Sequence, residues 1–132
     1  MVENRVNAVS GPLSIFLRIN DPFEAVIRLL EKFFNLSLNI ETNESGFLSK
    51  LCAMQIEFSI FSNHGLEDDC GIDFSNYSIQ IDMLKIYPKT RNNYQDQLVK
   101  VTAFFLAQEI SNNFKCKSIV VENLQKIIGD FK

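Results

Sequence analysis

The sequence has 132 residues, a mass of 15.2 kDa and a formal net charge of −3. Hydrophobic residues make up 46% and charged residues 22%, which excludes disordered, collagen-like and coiled-coil chains. The length predicts a single globular domain over residues 1–132. A sequence pI near 5.1 argues against a nucleic-acid-binding protein, because such proteins neutralise phosphates with a basic face.

The first elements in the chain are a strand and a helix. Apolar residues alternate from Leu13 to Ile19, which predicts a strand. Asp21 is expected to cap the following helix, with Pro22 at its first position. Apolar residues then recur at helical spacing from Phe23 to Phe34, and this stripe is expected to pack on a sheet.

Three strands are predicted in the middle of the chain. The first covers residues 36–41, and the second, with the clearest alternation, covers 52–60. A third runs within residues 72–87, where the apolar phase slips at Met83–Leu84 and predicts a bulge or a strand end near Lys85.

A long helix is predicted to end near Phe114, followed by a strand over 118–122 and a short C-terminal helix over 124–131. The residues expected to pack the long helix on the sheet are Tyr94, Leu98, Val101, Ala103, Phe105 and Ala107. Short turns between consecutive strands favour antiparallel pairing. The expected fold is therefore α+β, with a mostly antiparallel sheet of about five strands against two main helices.

No residue set typical of catalysis or metal binding is found in the sequence. The single histidine, His64, lies in an Asn-His-Gly turn and is expected to be exposed to water. Its spacing to Glu67, Asp68, Asp69 and Cys70 matches no metal motif, and adjacent acids disfavour a thiolate. Glycine-rich phosphate loops and nucleophile motifs are also missing. We expect a protein that is not an enzyme, with no catalytic residue, cofactor or metal.

The sequence also predicts a cytoplasmic location. It has no apolar run long enough to span a membrane, and residues 1–5 do not resemble the start of a signal peptide. Cys52, Cys70 and Cys116 match no disulfide framework, so reduced thiols are expected. Neither a membrane nor a nucleic acid is expected as a partner.

Charge is distributed unevenly along the chain. Residues 51–84 contain six acidic residues and no Lys or Arg, whereas residues 85–132 contain eight basic and four acidic residues. The six acids are Glu57, Glu67, Asp68, Asp69, Asp73 and Asp82. They are predicted to form an acidic surface that binds a basic protein, with Glu57 across from Asp82 if their strands pair.

The segment from Asp73-Phe74-Ser75-Asn76-Tyr77 to Ile119-Val120-Val121-Glu122-Asn123-Leu124-Gln125 resembles a family of small bacterial immunity proteins. These proteins neutralise toxins of contact-dependent growth inhibition and related polymorphic toxin systems. The resemblance implies a tight complex with a cognate toxin, commonly a nuclease with a basic cleft. It assigns no functional residue position by position.

An alternative resemblance is to small acidic dimeric secretion chaperones, which bind a segment of an effector protein. Such a chaperone needs an exposed apolar groove and a helical dimer interface, for which the region around Ala103 and Ala107 is a candidate. Packing in the core explains those alanines equally well, and the sequence leaves the oligomeric state open.

Overall fold

The computed structural model describes residues 12–44, 46–85 and 93–132. Its elements in chain order are β1 (Leu13–Arg18), α1 (Phe23–Phe34), β2 (Glu41–Asn43), β3 (Gly46–Ala53), β4 (Ile56–Ser62), a 3-10 helix (Phe74–Asn76), β5 (Ile79–Lys85), α2 (Asn93–Phe114), β6 (Lys117–Glu122) and β7 (Lys126–Phe131). The strands form one antiparallel sheet in the order β2-β3-β4-β5-β1-β6-β7. The predicted α+β class with two helices is confirmed, but the sheet has seven strands rather than about five.

One additional strand, β3, lies mostly before the predicted strand over 52–60, in residues 46–51 for which no strand was predicted, and a hairpin turn separates it from β4. Met54 and Gln55 form this turn with φ angles of 56° and 62°. Two-residue hairpins with both central residues at positive φ usually contain Gly or Asn, so the sequence gives no signal for this turn. Residues on either side of it belong to β3 and β4, which pair with each other.

The C-terminal segment is a strand and not the predicted helix. Asn123 and Leu124 form a second turn at positive φ, and β7 then pairs with β6 through a bulge near Val120. The bulge disturbs the two-residue alternation, which explains why Ile127, Ile128 and Phe131 mimic helical spacing.

Other predicted boundaries also move. Residues 36–40 contain no strand, and β2 begins only at Glu41. The first helix has Pro22 at its N-cap position without a side-chain cap, so the role predicted for Asp21 is wrong. Strand β5 starts at Ile79, and its side chains alternate between the two faces of the sheet without a slip through Leu84, which is exposed. Residues 86 and 87 of the predicted strand lie outside the described part.

Both helices cover the same face of the sheet, which we call the helix face. Strand residues such as Ile15, Phe58 and Ile81 form one apolar core there with Val26 of α1 and Leu106 of α2. Buried apolar side chains in water-excluded contact are the main stabilising contribution to such a layer. The helix face therefore carries the principal core.

The long helix α2 packs through a stripe other than the predicted one. Its buried residues include Val99, Ala103, Leu106, Ala107 and Ile110. The predicted packing of the two alanines is confirmed. However, the large side chains expected beside them are exposed, namely Tyr94, Leu98, Val101 and Phe105.

The opposite face of the sheet, which we call the loop face, is partly covered by residues 63–78, the connection between β4 and β5. Ile72, Phe74 and Tyr77 of this connection form a second cluster with Phe16 of β1 and Ile119 of β6. Within the described residues, no helix is long and apolar enough to cross a membrane.

Candidate partner-binding surface

All six predicted carboxylates lie on the loop-face side of the sheet. Glu57 alternates with the buried Ile56 and Phe58 of the helix-face core, so its side chain points to the other side. Asp82 bonds to Ser14, whose neighbours Leu13 and Ile15 belong to the helix-face core. The remaining carboxylates, Glu67, Asp68, Asp69 and Asp73, are in the connection that covers this face.

An aromatic cluster fixes that connection to the sheet. Phe16 is fully buried, and its ring centroid lies 4.9 Å from that of Phe74 and 6.4 Å from that of Tyr77. The ring of His64 meets Phe16 edge-on at 5.5 Å. Contacts of this geometry are favourable beyond the area that they bury. The acidic residues are therefore carried by an anchored segment.

His64 is half-buried and hydrogen-bonded through both ring nitrogens, contrary to the expectation of an exposed turn residue. Nε2 lies 2.8 Å from the carbonyl oxygen of Tyr77, and Nδ1 accepts the backbone N–H of Leu66 at 2.9 Å. Because Nδ1 accepts this N–H, the geometry assigns the donor role to Nε2, which faces the Tyr77 carbonyl oxygen. His64 therefore joins the two ends of the connection.

A tight turn over residues 69–72 begins at Asp69 and fixes the position of its carboxylate. The backbones of Asp69 and Ile72 exchange hydrogen bonds of 3.1 and 2.7 Å, with Cys70 and Gly71 between them at φ angles of 52° and 75°. Glycine adopts such a conformation without steric cost, which suits it to this position. The Asp69 carboxylate accepts the N–H of Cys70 at 2.8 Å.

Asp68 and Asp73 also stabilise the connection. Oδ1 of Asp68 accepts the backbone N–H of Ser75 at 2.9 Å and its hydroxyl at 2.8 Å. Oδ2 of Asp73 accepts hydrogen bonds from Asn76 and from Arg18, both at 2.8 Å. These two carboxylates therefore serve the local structure as well as the surface charge.

Asp73 differs from the other five acids because a cation lies beside it. The hydrogen bond from Asn76 lowers the pKa of Asp73 most, and the charges of Arg18 and Lys117 lower it further. The Arg18 guanidinium also lies over the ring of Tyr77, 4.9 Å from its centroid. The negative charge of Asp73 is therefore partly neutralised, unlike a carboxylate that faces only solvent.

Asp82 lies in a polar group that the sequence did not reveal. Its Oδ1 accepts hydrogen bonds from Ser14 at 2.7 Å and from Gln80 at 2.6 Å, and both donors are almost fully buried. Ser14 comes from a strand 68 residues away in sequence, so only the pairing of β1 with β5 brings it here.

Glu57 is diagonal to Asp82 rather than opposite it. The strands β4 and β5 do pair, but Ser59 faces Asp82 and Leu84 faces Glu57. Among the residues that the structure describes, Glu57 and Glu67 take part in no ion pair, so their charge is directed to solvent.

A shallow depression of about 330 Å³ lies within the acidic connection. Its lining residues are Asp68, Asp69, Gly71, Ile72 and Asp73. Across the described parts of the chain, no three His, Cys, Asp or Glu side chains are placed to hold a metal ion. The wall of the depression combines three carboxylates with one apolar residue.

Comparison of the chain with protein-family models, with characterised proteins and with solved structures finds no match. The functional argument accordingly rests on the geometry of this chain.

Proposed function

We propose that the protein is an immunity-type inhibitor that binds a basic surface of a cognate toxin, a nuclease being the expected class. One observation carries this proposal: the six acids of residues 51–84 share one side of the sheet. A basic nucleic-acid-binding cleft is the natural complement of such a surface, because carboxylates can take the place of phosphates there.

The anchoring of the connection supports a binding role. Pre-organised surfaces lose less conformational entropy on association than mobile ones. Phe16, His64 and the Asp69–Ile72 turn hold the carboxylates in place before any partner arrives. The proposed inhibitor acts by occupying the toxin surface and forms no covalent bond.

The chaperone alternative gains no support from the alanines considered for its dimer interface. Ala103 and Ala107 are fully buried against the sheet and are not available to a partner. We retain the immunity function as the proposal.

The proposal predicts a toxin gene next to the gene of this protein, and binding to the toxin domain that it encodes tests the function directly. Of the six acids, Glu57 and Glu67 are the two whose carboxylates make neither a hydrogen bond nor an ion pair with the described residues, so the double substitution Glu57→Lys with Glu67→Lys is expected to leave the fold intact. We expect the association rate at low salt to fall about tenfold or more, and its dependence on salt to weaken. Stopped-flow mixing over a series of salt concentrations measures both quantities.

The single variants Glu57→Lys and Glu24→Lys make the same charge change, and Glu24 lies on α1, on the other side of the sheet, so Glu24→Lys is the matched control for Glu57→Lys. The proposed function fails if the neighbouring toxin domain does not bind at all. The role of the acidic surface fails if Glu57→Lys and Glu24→Lys associate at equal rates.

A further inference from the structure

The exposed stripe of α2 indicates a second interaction surface, on the helix side of the molecule. Tyr94 is 83% exposed, Leu98 38%, Val101 62% and Phe105 52%. The intervals between these residues are four, three and four, which places all of them along one line of the helix. Large apolar side chains aligned in this way on a soluble protein are typical of an interface.

The spacing of the stripe is the spacing of a helix-pairing seam. Apolar residues that alternate at intervals of three and four form the seam along which two helices pack. The buried stripe of the same helix, which includes Val99, Ala103, Leu106 and Ile110, uses the same intervals to pack on the sheet. Helix α2 thus has two packing faces, and the sheet occupies only one of them.

We propose that a second copy of this chain occupies the stripe, with the two α2 helices antiparallel about a two-fold axis near Val101. A two-fold interface requires a patch that is complementary to itself. An apolar stripe meets this condition, and its neighbours Gln97 and Gln108 carry no charge, whereas Glu109 lies one turn beyond Phe105 at the end of the stripe. The six acids of the acidic surface lie across the sheet from α2.

The area of the stripe fits a dimer interface. A fully buried aromatic side chain contributes about 150–250 Å², so the observed exposures give the stripe roughly 400 Å² per copy. A standard interface buries about 800 Å² per partner, of which slightly more than half is apolar. The stripe therefore supplies most of the apolar centre of such an interface, and Phe33 of α1, which touches Phe105, extends it.

This arrangement is independent of the proposed function but compatible with it. Pairing through the helix layers directs the two loop faces away from the two-fold axis. Each dimer would then present two separate acidic surfaces and could hold two basic partners without steric conflict.

Analytical ultracentrifugation of the full chain over a range of concentrations tests the dimer. We expect a reversible monomer–dimer equilibrium, and we expect Val101→Glu and Val101→Lys each to weaken it at least about tenfold, because either charge would be buried at the axis. Leu84→Glu is the matched control: it also replaces an exposed apolar residue, but on the loop face, and should leave the equilibrium unchanged. Thermal unfolding of each variant verifies that the fold is retained.

A chain that stays monomeric up to millimolar concentration overturns the proposal. So does a dimer that Leu84→Glu weakens as much as the Val101 variants do. Dissociation by both signs of charge at Val101 supports it, since a purely electrostatic interface would respond to them in opposite directions.

Discussion

The two faces of the sheet are stabilised in different ways. The helix face is apolar and is covered by two helices, with residues such as Ile27, Phe58 and Leu106 almost completely buried. The loop face has a small aromatic cluster, and its covering segment is held by individual hydrogen bonds, which the His64 ring makes to Tyr77 and which the carboxylates of Asp68 and Asp73 accept. The helix face therefore supplies most of the stability, whereas the loop face fixes the shape of the acidic surface.

The largest effect is expected from truncating the helix-face core. Phe58→Ala removes a ring that is 1% exposed and packs 5.0 Å from that of Phe34. The loss of burial together with the resulting cavity should lower the free energy of unfolding by about 3–5 kcal/mol. Urea denaturation measures this change. Phe58→Leu, the control, should cost clearly less, and a near-neutral Phe58→Ala would contradict the importance of this face.

A smaller and more local effect is expected on the loop face. His64→Ala removes the hydrogen bonds to Tyr77 and Leu66, which should cost about 1–2 kcal/mol. Amide hydrogen exchange should accelerate in the connection over residues 63–78 and remain slow in α1 and β4.

His64→Asn is the matched control for this change, because its side-chain oxygen can still accept the Leu66 N–H. Unchanged exchange across the connection in His64→Ala would show that the aromatic contacts alone are sufficient to anchor it.

The smallest effect is expected in the loss of folding stability at acid pH. One carboxyl group on each side of the sheet contributes to it. The backbone N–H of Leu38 and then Arg28 lower the pKa of Glu31 in α1, as Asn76 and then Arg18 lower that of Asp73. Both groups therefore bind fewer protons when folded. Their stabilisation is complete above the unfolded-state pKa values, near 4, and is lost as the pH falls through the lower folded-state values.

Glu31→Gln and Asp73→Asn should each reduce the loss of stability between about pH 5 and pH 2, since neither new side chain titrates. Urea midpoints measured across this range, with pH 7 as the reference for each variant, give the result. A pH dependence identical to that of the wild type would show that the substituted carboxyl does not have a lower pKa in the folded than in the unfolded chain.

Local sequence patterns were sufficient for much of the fold. Alternating apolar residues identified β1, and helical periodicity identified α1 and α2, because these elements bury one regular face. The uneven charge of residues 51–84 identified the acids that share the loop face. Patterns failed at turns made by unusual residues, such as Met54–Gln55 and Asn123–Leu124, whose positive φ angles no local signal announces.

The sequence by itself determined the α+β class, the two helices and the group of acidic residues, since each depends on composition and short-range periodicity. Only the tertiary structure decided which stripe of α2 faces the sheet, because both stripes have the same apolar spacing and only long-range packing distinguishes them. Tertiary contacts likewise decided that Arg18 neutralises Asp73 and that Ser14 supports Asp82. The pairing of β1 with β5 joins Ser14 to a residue 68 positions away, and the packing of the connection over β1 joins Arg18 to a residue 55 positions away.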